Sequence, residues 1–413
     1  MKVSTLSIGD EVLFGEIVDT NAAHIATRLY DEGLTVQRHL CVGDNEPDIV
    51  EAFESLASRN DFVIATGGLG PTVDDMTAKA AAKAAGKRLV LNDEALEHLR
   101  QFYIKAGREM LPSTEKQCLL PDKARLVPNP VGTACGFMLS HKGTYFFFLP
   151  GVPVEMKRML EETLIPAIRS RMKEKRFVRT RTFKVFGLSE TKIENLLEGV
   201  ARPAEGLSVA YCVNFPEVLV KLRIEGDDEA RLAAILDQGC GKTRDLLGEF
   251  LFAEGEDTID TVVANLFREK GITLSLAESC TGGLIAKRVT DMAGSSAYFL
   301  EGAVTYGNAA KTRVLDIPAV LIEEKGAVSS TVAMAMAKGI RRKSGSDMAL
   351  AVTGIAGPDG GTEDKPVGTV YIALAGPADC KAKHYKFFGD RDRIRAITAF
   401  TAMDWLRRYL LSL

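Results

Sequence analysis

Leu274–Gly283 reads LSLAESCTGG, and this stretch decides how the C-terminal part of the chain folds. An apolar strand, predicted over Ile272–Ala277, runs straight into a polar, glycine-rich turn. A helix is predicted to follow over Thr281–Met292. A serine at such a strand-to-helix turn sits beside the helix's free backbone N–H groups. Those donors, with the helix dipole, suit a developing oxyanion or an anionic substrate group. The plainer alternative is that Ser279 or Thr281 only caps the helix.

Working outward, the same alternation continues. The helix Asp260–Glu269 precedes this stretch. The strands Val304–Tyr306, Met348–Thr353 and Thr369–Leu374 follow it. The last helix, Asp392–Leu411, carries the single tryptophan, Trp405. Gly255 to Asp257 is a short polar link. Upstream of it, residues 177–252 read differently. Arg179–Gly187 and Glu217–Glu225 alternate like exposed strands, interleaved with the helical patterns Glu190–Glu198 and Asp228–Leu247, as in a small α+β domain. The first 170 or so residues again alternate strands (Val3–Ile8, Phe62–Thr66, Tyr145–Leu149) with helices (Asn21–Glu32, Thr77–Ala85, Val154–Lys173), which predicts a parallel, doubly wound sheet. The charged run MKEKRF after the last of these reads as a boundary. The fold class is therefore α/β, with three domains expected at 1–172, 173–255 and 256–413. A chain of 413 residues is too long for one ordinary core.

Composition excludes several function classes. A formal net charge of −3 provides no basic field for nucleic acid. The seven cysteines are scattered with no C-x-x-C pair, against a disulfide framework or a Cys-rich zinc site. No run of uninterrupted apolar residues is long enough to span a bilayer. The N-terminal MKVSTLSIGDEVLFGE reaches acidic residues before any signal-like apolar run. A reducing, cytoplasmic location is expected, with no membrane partner.

A serine nucleophile needs a base. Of the five histidines only His384 lies in the C-terminal region, in a stretch that reads as a polar loop. A Ser–His–Asp triad is hard to build there. Gly302–Lys311, GAVTYGNAAK, places Tyr306 and Lys311 near a strand end instead. A lysine whose pKa is depressed by burial can replace histidine; otherwise Lys311 is a solvated surface residue. Val352–Gly361, VTGIAGPDGG, brings backbone close to a ligand. Gly389–Arg395, GDRDRIR, begins a helix with three arginines for phosphate or ribose, or for solvent. Cys280 is a rival nucleophile, but a thiolate ordinarily has a histidine partner and none is evident.

These segments, with PVGTVY at 366–371, occur in the order that resembles the C-terminal amidase domain of the CinA family (competence/damage-inducible protein A). The resemblance implies hydrolysis of nicotinamide mononucleotide to nicotinic acid mononucleotide and ammonia, with no cofactor. It implies Ser279 as nucleophile, Lys311 as general base and Tyr306 as a residue that orients the pair or relays a proton. Backbone groups near Cys280, Thr281, Gly282 and Gly283 are the expected oxyanion and substrate donors. Thr353, Gly354 and Arg395 are expected to hold the nucleotide end. Gly307 departs from the family's usual serine.

The N-terminal signals are Gly9–Asn21, GDEVLFGEIVDTN, and Ala65–Thr77, ATGGLGPTVDDMT, each after an apolar strand. Loops at strand C-termini form the ligand site of an open parallel sheet. Gly67, Gly68 and Gly70 permit close approach to a phosphate. Asp74 and Asp75 offer carboxylates to a hard cation, or merely cap the next helix. With Asn129–Gly136 and Leu149–Met156 this set resembles the family's N-terminal domain, related to molybdopterin-binding proteins. The resemblance implies metal-dependent ADP-ribose pyrophosphatase activity using Mg²⁺, Mn²⁺ or Co²⁺. Asp10, Asp74 and Asp75 are the candidate metal ligands, and Asn21 belongs to the same site. The alternatives are a domain that binds a nucleotide or pterin without cleaving it, and a non-enzymatic partner in DNA uptake or repair. The middle segment resembles the family's KH-like domain but lacks a GXXG loop, so a structural role and a homodimer are expected.

Overall fold

Val3–Ile8 (VSTLSI) and Phe62–Thr66 (FVIAT) are buried along their whole length, as central strands covered on both faces must be. They lie inside a six-stranded sheet of order Val36–Val42, Val3–Ile8, Phe62–Thr66, Thr144–Leu149, Gly136–His141, Arg125–Val127. The first four strands run parallel. The last two join antiparallel, so the sheet is mixed rather than wholly parallel as expected. The cause is local: Lys142 and Gly143 both have positive φ (48° and 84°), the geometry of a two-residue hairpin. So short a connection cannot make the crossover that a parallel pair requires.

The computed structural model describes residues 1–172 and 177–413. They fall into two units, Met1–Thr180 with Ile224–Ala234, and Arg181–Arg223 with Ile235–Leu413. In the first, the helix expected over Val154–Lys173 is Pro153–Met159, a wider π turn over Leu160–Leu164, and Ile165–Arg169. Pro166 has no N–H to donate to the preceding turn, which loosens the helix there. Lys173, the rest of the charged run to residue 176, and with them the expected 172/173 boundary, lie outside the described residues. Phe177–Val185, Leu207–Asn214, Glu217–Gly226 and Leu251–Glu254 form a separate four-stranded sheet. Leu207–Asn214 escapes the sequence reading because its residues are mostly half-buried or exposed, with no clean alternation. Gly239 and Gly241 sit inside the helix Glu229–Leu247, so they form no loop.

The second unit contains a five-stranded sheet of order Phe299–Val304, Leu274–Glu278, Met348–Gly354, Thr369–Ala375, Cys380–Lys386. The first three strands are parallel and the last two antiparallel. Side chains alternate between faces. Leu274, Leu276, Met348, Leu350 and Val352 pack in one cluster with Phe267, Ala399 and Phe400, from the helices Ile259–Lys270 and Arg391–Ser412. Ala277, Ala349, Ala351, Ala373 and Ala375 form the opposite face, against Val332, Ala333, Met336 and Ala337 of the helix Ser330–Ser344. Small residues on that face let the helix approach closely. His384 is not in a loop: it lies in the edge strand Cys380–Lys386 and stacks on Tyr371, centroids 4.7 Å apart. Alternating lysines make an exposed edge strand read as polar loop, and they also discourage edge-to-edge association. No helix among the described residues is long and apolar enough to cross a membrane, and all seven cysteines are free.

The helix Arg391–Ser412 carries three arginines in its first turns and a buried ion pair further along. Asp404 and Arg407 are 2.7 Å apart with side chains 8% and 5% exposed, and Arg407 also donates to the Glu249 carbonyl at 2.7 Å. Removing one member strands a buried charge. Asp404→Ala is expected to destabilise the protein by about 3–5 kcal/mol, read from urea unfolding of the full chain; a loss under about 1 kcal/mol, the range of exposed pairs, would contradict this.

Candidate active site

The three parallel strands of the C-terminal sheet end side by side, and each delivers a part of one site. Leu274–Glu278 ends at Ser279, Phe299–Val304 at Thr305 and Tyr306, and Met348–Gly354 at Thr353. Tyr306 is therefore past its strand, not in it as expected. Lys311 stands on the short helix Asn308–Leu315 that follows. Gly307 is the N-cap of that helix and makes no side-chain cap bond. A serine there would cap it, while glycine costs only a few tenths of a kcal/mol, so the departure is tolerable.

Lys311 is 1% exposed. Its Nζ lies 3.1 Å from Ser279 Oγ, 2.8 Å from the Thr305 carbonyl and 3.1 Å from the Tyr306 carbonyl. Among the described residues no carboxylate lies within ion-pair distance of it. Burial holds its pKa below the ordinary lysine value, opposed only by Cys280. A neutral amine has two N–H donors and one lone pair. The two carbonyls can take both donors, which turns the lone pair toward Ser279 Oγ. The pair thus has the geometry of nucleophile and base. Cys280 is buried, and its thiol is pushed up to about 12 by that burial; a thiol so protonated is inert.

The loop after Ser279 departs from expectation. No helix begins at Thr281: the helix is Leu284–Thr290, capped by Gly283. Gly282 and Gly283 have φ of 61° and 92°, left-handed values that side chains disfavour. Gly282 N–H donates to the Ser279 carbonyl at 3.0 Å. Gly283, Ile285 and Ala286 N–H all donate to the buried Glu278 carboxylate. The helix N-terminus is therefore occupied from within and is not open to substrate. The N–H groups of Cys280 and Thr281 donate to no oxygen among the described residues and lie beside the Cys280 sulfur. Of the two residues, Cys280 lines the cleft over Ser279 and Thr281 does not.

A cleft of about 180 Å³ opens over the pair. Ser279, Cys280, Tyr306, Lys311, Thr353 and Gly354 line it, joined by Asn308, Ala327, Val328, Ala356 and Arg391. Thr281, Gly282, Gly283 and Arg395 do not line it. Arg395 instead braces the nucleophile loop, donating to the Thr281 carbonyl at 2.9 Å. Arg391, one turn earlier, is the arginine at the rim, and it donates to the Tyr306 hydroxyl at 2.8 Å and the Gly357 carbonyl at 2.6 Å. Tyr306 thus orients Lys311 through its carbonyl, while its hydroxyl faces Arg391 and neither member of the pair. Thr353 Oγ1 donates to the Ala327 carbonyl at 2.9 Å. Arg391 was legible only as one of three arginines, and Glu278 only as the residue before the serine.

Three family models match successive stretches of the chain. Residues 256–410 match the family model of the CinA C-terminal domain, residues 180–253 that of the damage-inducible protein CinA KH domain, and residues 4–170 that of a probable molybdopterin binding domain. A CinA-like protein of Geotalea uraniireducens (strain Rf4) is 64% identical over 413 residues, covering 100% of this chain and 98% of its own. One from Geobacter sulfurreducens is 60% identical over 412 residues, covering 100% of each. The chain belongs to the CinA family. A solved CinA superfamily protein from Klebsiella pneumoniae is 34% identical, covering 38% of this chain and 97% of that one, with a TM-score of 0.37. A CinA structure from Thermoplasma acidophilum is 36% identical, covering 40% and 96%, with a TM-score of 0.38.

In this CinA chain the N-terminal candidates are less converged. Asp10 Oδ1 accepts from Asp44 N–H, and Asp44 Oδ2 accepts from Asp10 N–H, both at 3.1 Å. Partial burial pushes the Asp44 carboxyl up, and the charges of Asp10, Glu11 and Asp74 add to this. Asp75 is engaged by Thr72, whose N–H donates to it at 2.8 Å. Among the described residues no three His, Cys, Asp or Glu side chains are grouped to hold a metal ion. Asp10, Asp74 and Asp75 are thus not gathered into one cation site among the described residues. Asn21 Nδ2 donates to the Gly151 carbonyl at 2.6 Å, tying two loops together. A Cβ on Gly67 would stand 2.0 Å from the Ile8 carbonyl, so this glycine serves strand packing. Gly68, Gly70 and Asp75 line a cleft of about 470 Å³ with Leu69, Lys116 and Gln117.

The buried lysine makes stability depend on pH. Below its lowered folded value Lys311 is charged in both states and contributes no slope. Between that value and the ordinary 10.5 the unfolded chain holds a proton that the folded chain lacks, so stability rises with pH. Above 10.5 the slope vanishes again. Lys311→Met is expected to remove up to about 1.4 kcal/mol per pH unit of this slope, measured as urea midpoints across the alkaline range; parallel profiles for the two proteins would contradict it.

Proposed function

We propose that the C-terminal domain hydrolyses the carboxamide of nicotinamide mononucleotide, releasing nicotinic acid mononucleotide and ammonia. The observation that carries this reading is the Lys311 Nζ to Ser279 Oγ distance of 3.1 Å, with two carbonyls holding the remaining amine protons. The substrate follows from the CinA family resemblance and from the size of the cleft. At about 180 Å³ it is smaller than the roughly 300 Å³ at which drug-sized sites begin. It suits the amide-bearing ring and leaves the ribose phosphate at the rim, where Arg391 supplies a cation.

The chemistry then runs through this chain's own groups. Neutral Lys311 takes the Ser279 proton as Oγ attacks the amide carbon. The N–H of Cys280, which lines the cleft, donates to the tetrahedral oxyanion. Lys311 returns the proton to the leaving nitrogen, and ammonia departs. Water, deprotonated by the same amine, releases the acid and restores Ser279. For the N-terminal domain we propose binding of a nucleotide or pterin in the cleft beside Gly68 and Gly70. Among the described residues the acidic side chains there are not grouped for a metal.

Ammonia release from nicotinamide mononucleotide is the test. Wild type is expected to turn over, and Ser279→Ala and Lys311→Met to lose about 10³-fold or more in kcat. Wild-type kcat/KM is expected to climb with pH on a limb below the ordinary lysine value of 10.5, and that limb should be absent from any residual Lys311→Met activity. A folded wild type without turnover would discard this substrate.

A further inference from the structure

Glu278 is a buried acid that the mechanism above does not use. It is 1% exposed, and among the described residues no cation pairs with it. Its Oε2 accepts from Gly283 N–H at 3.0 Å and Ile285 N–H at 3.2 Å, and its Oε1 accepts from Ala286 N–H at 2.7 Å. One side chain at the end of the strand thus grips the backbone at the far side of the Ser279–Gly282 loop. Its main chain grips the other half of the site. The Glu278 carbonyl accepts from Thr305 N–H at 2.8 Å, and Thr305 in turn offers its own carbonyl to Lys311 at 2.8 Å.

We propose that Glu278 is the positioning residue of this site, its carboxylate fixing the Ser279 loop against the Lys311 loop that its carbonyl holds. The loop it closes contains the nucleophile and the Cys280 and Thr281 N–H groups, which no oxygen among the described residues accepts. Two left-handed glycines at 282 and 283 make this loop easy to bend, so a restraint at its far end is needed to keep Oγ on the lysine. Three convergent N–H donors suit a carboxylate and nothing else of that size. An amide carries its own NH₂, which would face at least one of the three donors and leave it unpaired. The substitution Glu278→Asp keeps the charge but leaves the carboxylate one methylene short of the helix. The helix capped is too short to be a ligand site, and the carboxylate already fills its end; the role is internal.

This proposal rests on the Ser279/Lys311 reading but not on the substrate. Its test is the rate at which a fluorophosphonate labels Ser279 in the full-length protein. In that reaction the Oγ–P bond forms, the P–F bond breaks, fluoride leaves and the Oγ proton passes to Lys311. Wild type is expected to label, and Ser279→Ala to be blank. Glu278→Gln is expected to label about 10²-fold more slowly, the loss that a misplacement near 1 Å causes. Its labelling should keep the wild-type pH limb, because Lys311 touches Ser279, Thr305 and Tyr306 and not the substituted side chain. Glu278→Asp, as the second variant, should also be slow, with both variants checked by near-UV circular dichroism. Equal labelling of folded Glu278→Gln and wild type would overturn the proposal, whatever either does with nicotinamide mononucleotide. A shifted limb would overturn it too, since Glu278 would then act on the lysine's charge. If neither variant folds, Glu278 is a fold determinant and the proposal falls. Wild type that never labels removes the nucleophile reading and the proposal with it. Wild type that labels but releases no ammonia removes only the substrate.

Discussion

A lysine amine buried without a counter-ion is the constraint on which the C-terminal domain turns. Lys311 is 1% exposed and answers to two carbonyls and one hydroxyl. Had a carboxylate stood beside it, the ammonium would be favoured and the base lost. Carbonyls serve both protonation states: they accept from the ammonium and from the amine alike. The cost of burying the amine is carried by the packed sheet on which it rests. The Leu274–Glu278 strand that delivers the serine is buried throughout, and its Glu278 carbonyl holds Thr305 N–H at 2.8 Å, which ties the serine to the more exposed strand Phe299–Val304 that delivers the two carbonyls.

The same sheet explains why three separate stretches of sequence meet. Parallel neighbours end at the same edge, so residues 279, 305 and 353 come together without any loop reaching far. The helix Arg391–Ser412 then closes the site from the side. Arg391 reaches the rim, Arg395 braces the Thr281 carbonyl, and the Asp404–Arg407 pair anchors the helix. One helix therefore couples cleft, nucleophile loop and core.

Much of this was legible in the sequence, for a physical reason. A strand that runs into small residues advertises a backbone conformation, and LSLAESCTGG and VTGIAGPDGG both do so. Lys311 is a candidate base in the sequence because histidine is scarce around it, and the CinA resemblance is what implies the role. What was not legible depended on direction rather than identity. Three arginines in GDRDRIR look alike in sequence, but helical periodicity puts Arg391 and Arg395 on one face a turn apart, where they meet different partners. Tyr306 is expected to orient the pair or relay a proton, and it is its carbonyl that meets the lysine. His384 and the lysines about it read as loop because an exposed edge strand has the composition of one. In the N-terminal domain Asp10 and Asp75 read as free ligands, whereas Asp10 accepts from the distant Asp44 N–H and Asp75 from the nearby Thr72 N–H. Side-chain bonds to nearby backbone compete with any ligand and leave no periodic trace.

The nucleophile loop also separates two ideas that sequence reading tends to merge. A serine before a helix suggests that the helix end stabilises the oxyanion. Here the helix Leu284–Thr290 is capped by Glu278, so its partial positive charge meets an anion already built in. A second negative charge beside that carboxylate would be repelled, not attracted. The N–H groups that the cap leaves alone on this loop are those of Cys280 and Thr281, and only Cys280 lines the cleft. The cap makes the loop rigid at the expense of the dipole. For a reaction whose nucleophile must stay within hydrogen-bond reach of a buried amine, rigidity contributes more than a screened dipole, because misplacement by about 1 Å costs roughly 10²-fold, while a helix end contributes about 0.3–1 kcal/mol at ordinary sites.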